Sequence, residues 1–295
     1  MTRRGAAELA LAANTIVWGS TFVLVKAVLR DISPVLFLAL RFSLASVTLW
    51  IVFGTTASLR ARLCWTGAWK GALAGGFLFS GYLFQTWGLR FTTAPKSAFI
   101  TGLTSAMVPL LAALVYRIKP QVSEVAGVVV ATAGLGLMTL EGDIGSIGRG
   151  DLLTVFCTIG FAAHIVTLGH FSEQMSFEML SVSQLTSAAV LSLSLCWWVE
   201  HPEVNWRPVV VCGILITGLL ATALAFTIQA WAQQFTTSTR TALIYMLEPV
   251  FAWLTSYLLV GEGLSRRAAL GAALILLGVL LVEMKPLKPR VHLSK

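Results

Sequence analysis

Gln85-Thr-Trp-Gly-Leu-Arg-Phe-Thr-Thr93 returns later in the chain as Gln229-Ala-Trp-Ala-Gln-Gln-Phe-Thr-Thr237. The Gln, the Trp, the Phe and both Thr recur at a constant offset of 144 positions. The register holds beyond the nonapeptide. Lys96 falls on Arg240, Ala98 on Ala242, Gly127 on Gly271 and Gly134 on Gly278. A fixed offset of this kind marks a duplicated unit. The chain reads as two copies joined head to tail, with the chemistry expected where they meet.

Outward from that stretch, the composition excludes an ordinary soluble domain. The 295 residues are 57% hydrophobic and 12% charged, whereas soluble domains carry about a quarter charged residues. Charges cluster between long apolar runs. A membrane span needs roughly 20 apolar residues. Ten stretches qualify: 8–29, 34–54, 70–91, 96–117, 121–140, 151–170, 178–199, 208–233, 239–260 and 266–283. The expected fold is all-α, with ten transmembrane helices and no soluble domain. Residues 1–145 form the first five-helix repeat, 146–285 the second, and 286–295 a basic cytoplasmic tail.

Five helices per copy is an odd number, so the second copy must enter the membrane from the opposite side. The expectation is a pair of inverted repeats around a central cavity, with the substrate near the bilayer midplane. The net charge of +8 does not indicate nucleic acid, because of where it lies. With the N-terminus cytoplasmic, twelve basic residues fall on the cytoplasmic side and seven on the other. That excess favours both termini inside. Lys26 and Arg41 fall within spans. Arg41 either snorkels to the outer surface or lines the cavity mouth.

Polar groups inside spans face the bundle interior or a wet cavity. Asn14, Trp18 and Thr21 share one face of the first helix. Tyr82 and Gln85 share a face of the third. Pro109 in the fourth span and Pro249 in the ninth each remove a backbone hydrogen bond, so both are candidate bending points. Cys64, Cys157, Cys196 and Cys212 have neither disulfide-framework nor metal-ligand spacing.

Three stretches carry a resemblance. Trp18-Gly-Ser-Thr-Phe22, Phe99-Ile-Thr-Gly-Leu103 running to Val108-Pro-Leu110, and Leu247-Glu-Pro-Val250 followed by Gly261-Glu262 and Gly271 resemble the drug/metabolite transporter superfamily. Within it they are similar to the EamA-type ten-helix exporters. The resemblance implies a central cavity that alternates between outward-facing and inward-facing forms. It also implies export of small metabolites, amino acids (the aromatic ones included) among them. The first copy departs from the pattern. Arg117-Ile-Lys119-Pro120 stands where the second copy has Gly261-Glu262.

Glu248 is the acid set deepest in a span. Nine residues at ~1.5 Å each put it roughly 13 Å below the helix start. At that depth a carboxyl group can carry a proton or meet a substrate amine, or it can tie neighbouring helices. His164 can shuttle protons, bind substrate or serve the scaffold. Asn14, Gln85 and Gln229 offer neutral hydrogen-bonding groups. Trp18, Tyr82, Phe99 and Tyr245 share helices with polar groups and are candidate pocket walls. The expected substrate-binding set is therefore Asn14, Trp18, Tyr82, Gln85, Phe99, His164, Gln229, Tyr245 and Glu248.

Enzyme signatures are absent. No Walker loop is present, so no nucleotide is expected to drive the protein. Neither metal-spaced ligands nor a nucleophile elbow occurs, and no cofactor is expected. The partners are a small-molecule substrate and the lipid bilayer. The expected protein is a multi-pass exporter of the inner (plasma) membrane. Its rivals are a nucleotide-sugar or phosphate-ester carrier, which needs several inward cations, and a membrane enzyme or scaffold.

Overall fold

The computed structural model describes residues 2–55, 65–92, 97, 100–117, 120–139, 148–251, 254 and 265–283. Among these, secondary structure is helical, apart from one antiparallel bridge between Ile32 and Val204. The helices are α1 (Arg3–Val28), α2 (Pro34–Phe53), α3 (Trp65–Gly88), α4 (Thr104–Tyr116), α5 (Val122–Thr139), α6 (Arg149–Phe171) and α7 (Phe177–Val199). Then α8 runs Pro208–Gly218, passes into a π-helical turn at Leu219–Leu224 and continues as Ala225–Ala232. Last come α9 (Ser238–Tyr245) and α10 (Arg266–Glu283). Residues 140–147, the Gly261-Glu262 pair and the tail from 286 lie outside the described residues.

Helix is what such apolar runs must form in lipid, where every backbone N–H needs an internal partner. The ends are fixed locally. Thr2 Oγ1 accepts from Gly5 N at 3.2 Å, and Thr237 Oγ1 from Arg240 N at 3.3 Å. Pro34 and Pro208 open α2 and α8, where a missing N–H costs nothing. Arg3–Val28, Pro34–Phe53, Arg149–Phe171, Phe177–Val199 and Pro208–Ala232 are each long and apolar enough to cross a bilayer. Large apolar side chains face outward along the bundle, among them Ile51, Leu110, Leu114 and Trp198. An apolar exterior of this extent suits lipid rather than water.

The main helix pairings recur when the two copies are exchanged. Helix α3 packs on α6, and its counterpart α8 packs on α1. The pairs α2–α7, α4–α9 and α5–α10 each join matching helices of the two copies. A reciprocal close approach lies between α5 and α10. A Cβ on Gly134 would sit 2.5 Å from the Gly271 carbonyl oxygen, and one on Gly278 would sit 2.6 Å from that of Gly127. Only glycine allows two backbones this near. The two contacts are copies of each other at the offset of 144.

Side-chain contacts sort the helix ends into two groups. Asp31 and Ser33 meet the 201–207 loop: Ser33 Oγ accepts from Glu203 N at 2.9 Å, and Arg207 pairs with Asp31 at 3.5 Å. Thr92 Oγ1 donates to Asp151 at 2.6 Å. Elsewhere Glu8 Oε1 takes Arg4 Nε at 2.7 Å and Arg240 Nη1 at 3.5 Å. Gln234 Nε2 reaches the Met175 carbonyl at 3.2 Å, and Ser172 Oγ that of Gln233 at 3.0 Å. The start of α1 thus lies beside the end of α6, and the two helices run in opposite senses.

The two candidate bending prolines sit differently in their helices. Helix α4 passes unbroken through Pro109, and the discontinuity falls earlier, at Leu103. There Leu103 N bonds the Ile100 carbonyl and Ala106 N bonds that of Leu103, at 3.1 and 3.0 Å, both three residues back. The second copy breaks at the equivalent point. Met246 N bonds Leu243 O and Leu247 N bonds Ile244 O, each at 3.0 Å. Pro249 accounts for that break, since it deprives the Tyr245 carbonyl of its helical donor. The bend belongs to the repeat position, and Pro249 is near it while Pro109 is not.

Candidate functional site

The π-helical turn in α8 is the organising feature. A π turn widens the ladder to five residues and leaves carbonyls off their usual partners. Here Ala225 N–H turns to Leu220 O and Thr222 O. The Ala221 carbonyl then accepts two donors from the first copy: Trp18 Nε1 at 2.9 Å and Arg41 Nη2 at 3.2 Å. One turn on, the Ala225 carbonyl accepts Asn14 Nδ2 at 2.8 Å. Thr222 Oγ1 donates to the Thr217 carbonyl at 2.7 Å and accepts Arg41 Nε at 2.6 Å. Helices α1 and α2 are thereby held to the middle of α8.

Arg41 is only 4% exposed, so it does not snorkel. Its Nη2 also donates to the Tyr82 hydroxyl at 3.1 Å, and its guanidinium carbon lies 4.4 Å from the Tyr82 ring centroid. Cation–π contact of this kind strengthens when desolvated.

A continuous set of rings follows. Trp18 meets Tyr245 at 4.7 Å and Phe226 at 5.5 Å between centroids. Tyr82 meets Phe161 at 5.1 Å, Phe42 at 5.5 Å and Phe226 at 6.1 Å. His164 stands edge-on to Phe226 at 5.6 Å. Tyr82 and Phe226 occupy equivalent positions of the two copies, 144 residues apart. A residue that touches its own counterpart lies where the copies meet.

Of the expected set, the structure brings Asn14, Trp18, Tyr82, His164 and Tyr245 into this cluster. The Tyr245 hydroxyl lies beside Asn14 but makes no hydrogen bond of regular geometry. Glu248 is half-buried and lies within electrostatic reach of Tyr82, Tyr245 and Cys157. His164 Nε2 pairs with Gln184 Oε1 at 2.8 Å. An amide oxygen only accepts, so the ring nitrogen donates. Gln85 is at the margin, with Nε2 3.4 Å from Thr101 Oγ1. Phe99 lies outside the described residues.

Gln229 belongs elsewhere. It is 1% exposed, and its Nε2 donates to Gln233 Oε1 at 3.2 Å. Gln233 in turn donates to the Ile165 carbonyl at 3.0 Å. These bonds form a seam between α6 and the end of α8, where Gln229 Oε1 has no hydrogen-bond partner among the described residues, while its counterpart Gln85 stays half-buried. Sequence reasoning left Arg41 open and overlooked Phe226, Phe161, Phe42 and Gln184. Extending the repeat three residues back from Gln85 to Tyr82 points to Phe226 directly.

Among the described residues, no group of three or more His, Cys, Asp or Glu is arranged to hold a metal ion. The cluster offers aromatic faces, one buried cation, one carboxyl group and a few neutral donors. Such a mixture suits reversible binding of a small amphipathic molecule. Trp18→Phe is expected to keep the ring contacts and lose the bond to Ala221. The cost should be about 1 kcal/mol, read as a shift in the denaturant midpoint of purified protein in micelles. An unshifted midpoint would remove that bond from the account of how α1 is held.

Apolar helices with an apolar exterior, enclosing a polar and aromatic seam shared by two copies, define a multi-pass membrane protein of the solute-transporting kind. The chain belongs to the EamA-like transporter family, which it matches twice, over residues 5–140 and 148–284. An uncharacterized transporter of Archaeoglobus fulgidus is 34% identical over 283 residues, which cover 95% of this chain and 86% of that one. The uncharacterized transporter YoaV of Bacillus subtilis is 24% identical, with 92% and 94% covered. A solved crystal structure at 20% identity has a TM-score of 0.76 over 94% of this chain and 96% of its own. That likeness concerns the fold.

Proposed function

We propose that the chain exports small amphipathic metabolites, amino acids among them and aromatic ones in particular, across the plasma membrane by alternating access. The carrying observation is the seam itself. Tyr82 and Phe226 meet there, with Arg41, Trp18, Tyr245 and Glu248 around them. Aromatic walls with few polar groups suit amphipathic solutes better than bulky or highly charged ones.

Inverted five-helix repeats, residues 1–145 and 146–285, are part of this proposal. Support comes from the main helix pairings that recur between the copies and from the opposed senses of α1 and α6. In this arrangement the halves rock about the seam, bending at Leu103 and at Met246–Leu247. Glu8, Arg240 and Thr236 close one end of the bundle, which is the cytoplasmic end in this reading, where both termini lie.

The test is flux in proteoliposomes with a panel of labelled amino acids, amines and organic acids, paired with one-sided thiol labelling. Single cysteines at 32 and 204 are expected to label from one face, and those at 174 and 235 from the other. Protein-dependent flux of panel members with that labelling is the expected result. Labelling of 32 and 174 from a common face would refute the arrangement, and absence of flux across the whole panel would refute the function.

A further inference from the structure

We propose that Arg41 and Tyr82 together form the docking point for a single carboxylate on the transported solute. The inference rests on the transporter reading and adds the charge class of the cargo.

Arg41 carries a fixed positive charge and is nearly enclosed. Its hydrogen-bond partners are the Thr222 hydroxyl, the Tyr82 hydroxyl and the Ala221 carbonyl, all neutral. A buried charge is costly unless an opposite charge or a full set of hydrogen bonds compensates it. Among the described residues the other deeply buried cation, Arg240, has Glu8 at 3.5 Å. Arg41 has no carboxylate within salt-bridge distance among the described residues. The deficit is specific to this position.

The unused valences point the same way. Nε and Nη2 are engaged, so Nη1 remains, with two N–H groups and no hydrogen bond to a described residue. The Tyr82 oxygen accepts from Nη2, which leaves its own O–H to donate. Two adjacent donors beside a positive charge, with no acceptor between them, suit the two oxygens of a carboxylate. The opposite copy has no equivalent. Gln184 is the eighth residue of its helix, as Arg41 is of α2, and it is neutral and bonded to His164. Lys26, the remaining cation of α1 and α2 within a span, is exposed. One cation neutralises one negative charge, and Glu248, within electrostatic reach of Tyr82, disfavours a second. A monocarboxylate fits better than a phosphate dianion.

The experiment uses the full chain in lipid nanodiscs and four probes built on one phenyl group: 3-phenylpropionate, its amide, 3-phenylpropylamine and 2-phenylethyl phosphate. Equilibrium dialysis is expected to show the carboxylate binding at least about tenfold tighter than the amide, the size of one charge-assisted hydrogen bond. Arg41→Gln should abolish that preference, leaving carboxylate and amide bound about alike. Tyr82→Phe keeps the cation and removes one donor, and should lower the preference to an intermediate value. It also serves as the test if Arg41→Gln fails to fold. Three results overturn the proposal: no carboxylate binding by the wild type, phosphate or amide preferred over carboxylate, or a preference that survives these variants. Flux keeps the two readings apart. Transport of the amide but not the carboxylate sinks the anion site alone, whereas Arg41-dependent carboxylate binding without flux of any probe sinks the transporter reading alone.

Discussion

Glu248→Gln is expected to lower the rate of flux by about tenfold or more and to flatten its dependence on pH. A comparison of two acids, Asp151 and Glu248, makes the reason plain. The carboxylate of Asp151 is fully employed: it accepts from Thr92 Oγ1 at 2.6 Å and from Gly148 N at 2.9 Å, fixing the start of α6. Glu248 has no hydrogen bond to any described residue. It lies just past the break at Met246–Leu247, half-buried and close to Tyr82 and Tyr245. A structural acid would hold a neighbour, and this one holds none among the described residues. A free carboxyl group at the bend of a membrane helix is placed to take up a proton or a substrate amine as the helix moves. Gln keeps the volume and loses both roles. Loss of one charged hydrogen bond costs roughly 1.5–3 kcal/mol, which gives the tenfold figure and above. The measurement is initial-rate flux in proteoliposomes over a range of pH. Wild-type rates with an unchanged profile would end the case for Glu248.

Much of the architecture was legible because it rests on spacing. The offset that aligns Gln85 with Gln229 also aligns Gly127 with Gly271 and Gly134 with Gly278, and these four glycines turn out to be the α5–α10 crossing. Apolar length alone located α2, α6, α7 and α8 to within a few residues. The site was less legible, for three physical reasons. A span that is apolar all round gives no facing direction, so nothing in Pro34–Phe53 says which way Arg41 turns. The π turn has the sequence Leu-Leu-Ala-Thr-Ala-Leu, which differs in no way from an ordinary helical run. Its widened ladder is set by the Thr222 and Arg41 contacts, made 181 residues apart. Symmetry in sequence also fails to guarantee symmetry of role. Gln85 and Gln229 match, yet one stays near the seam while the other is bonded to Gln233. The prolines mislead for a related reason. Both copies break at the same repeat position, but only the second has a proline to mark it. In the first, Gly102 sits against Leu135 of α5 without such a flag.

The second large effect is expected at the glycine crossing. A Cβ on Gly134 would stand 2.5 Å from Gly271 O and 2.8 Å from Ile275 N. One on Gly278 would stand 2.6 Å from Gly127 O and 2.9 Å from Ala131 N. These are backbone atoms of a packed helix, so no side chain can rotate away. The helices themselves must separate, and in lipid it is close packing that holds such pairs together. Gly134→Ala and Gly278→Ala should each cost about 1–3 kcal/mol, the usual price of overpacking. Gly134→Leu should leave little folded protein. The reciprocity of the two contacts adds a sharper expectation. One separation of α5 from α10 relieves both clashes, so the double Ala variant should cost clearly less than the sum of the singles. Sites that share one displacement are coupled in this way, whereas independent sites add. Unfolding of purified protein by graded anionic detergent, followed by far-ultraviolet circular dichroism, supplies all three numbers. Strict additivity would mean that the two glycines report on separate local fits, and the reciprocal crossing between the copies would lose its mechanical meaning.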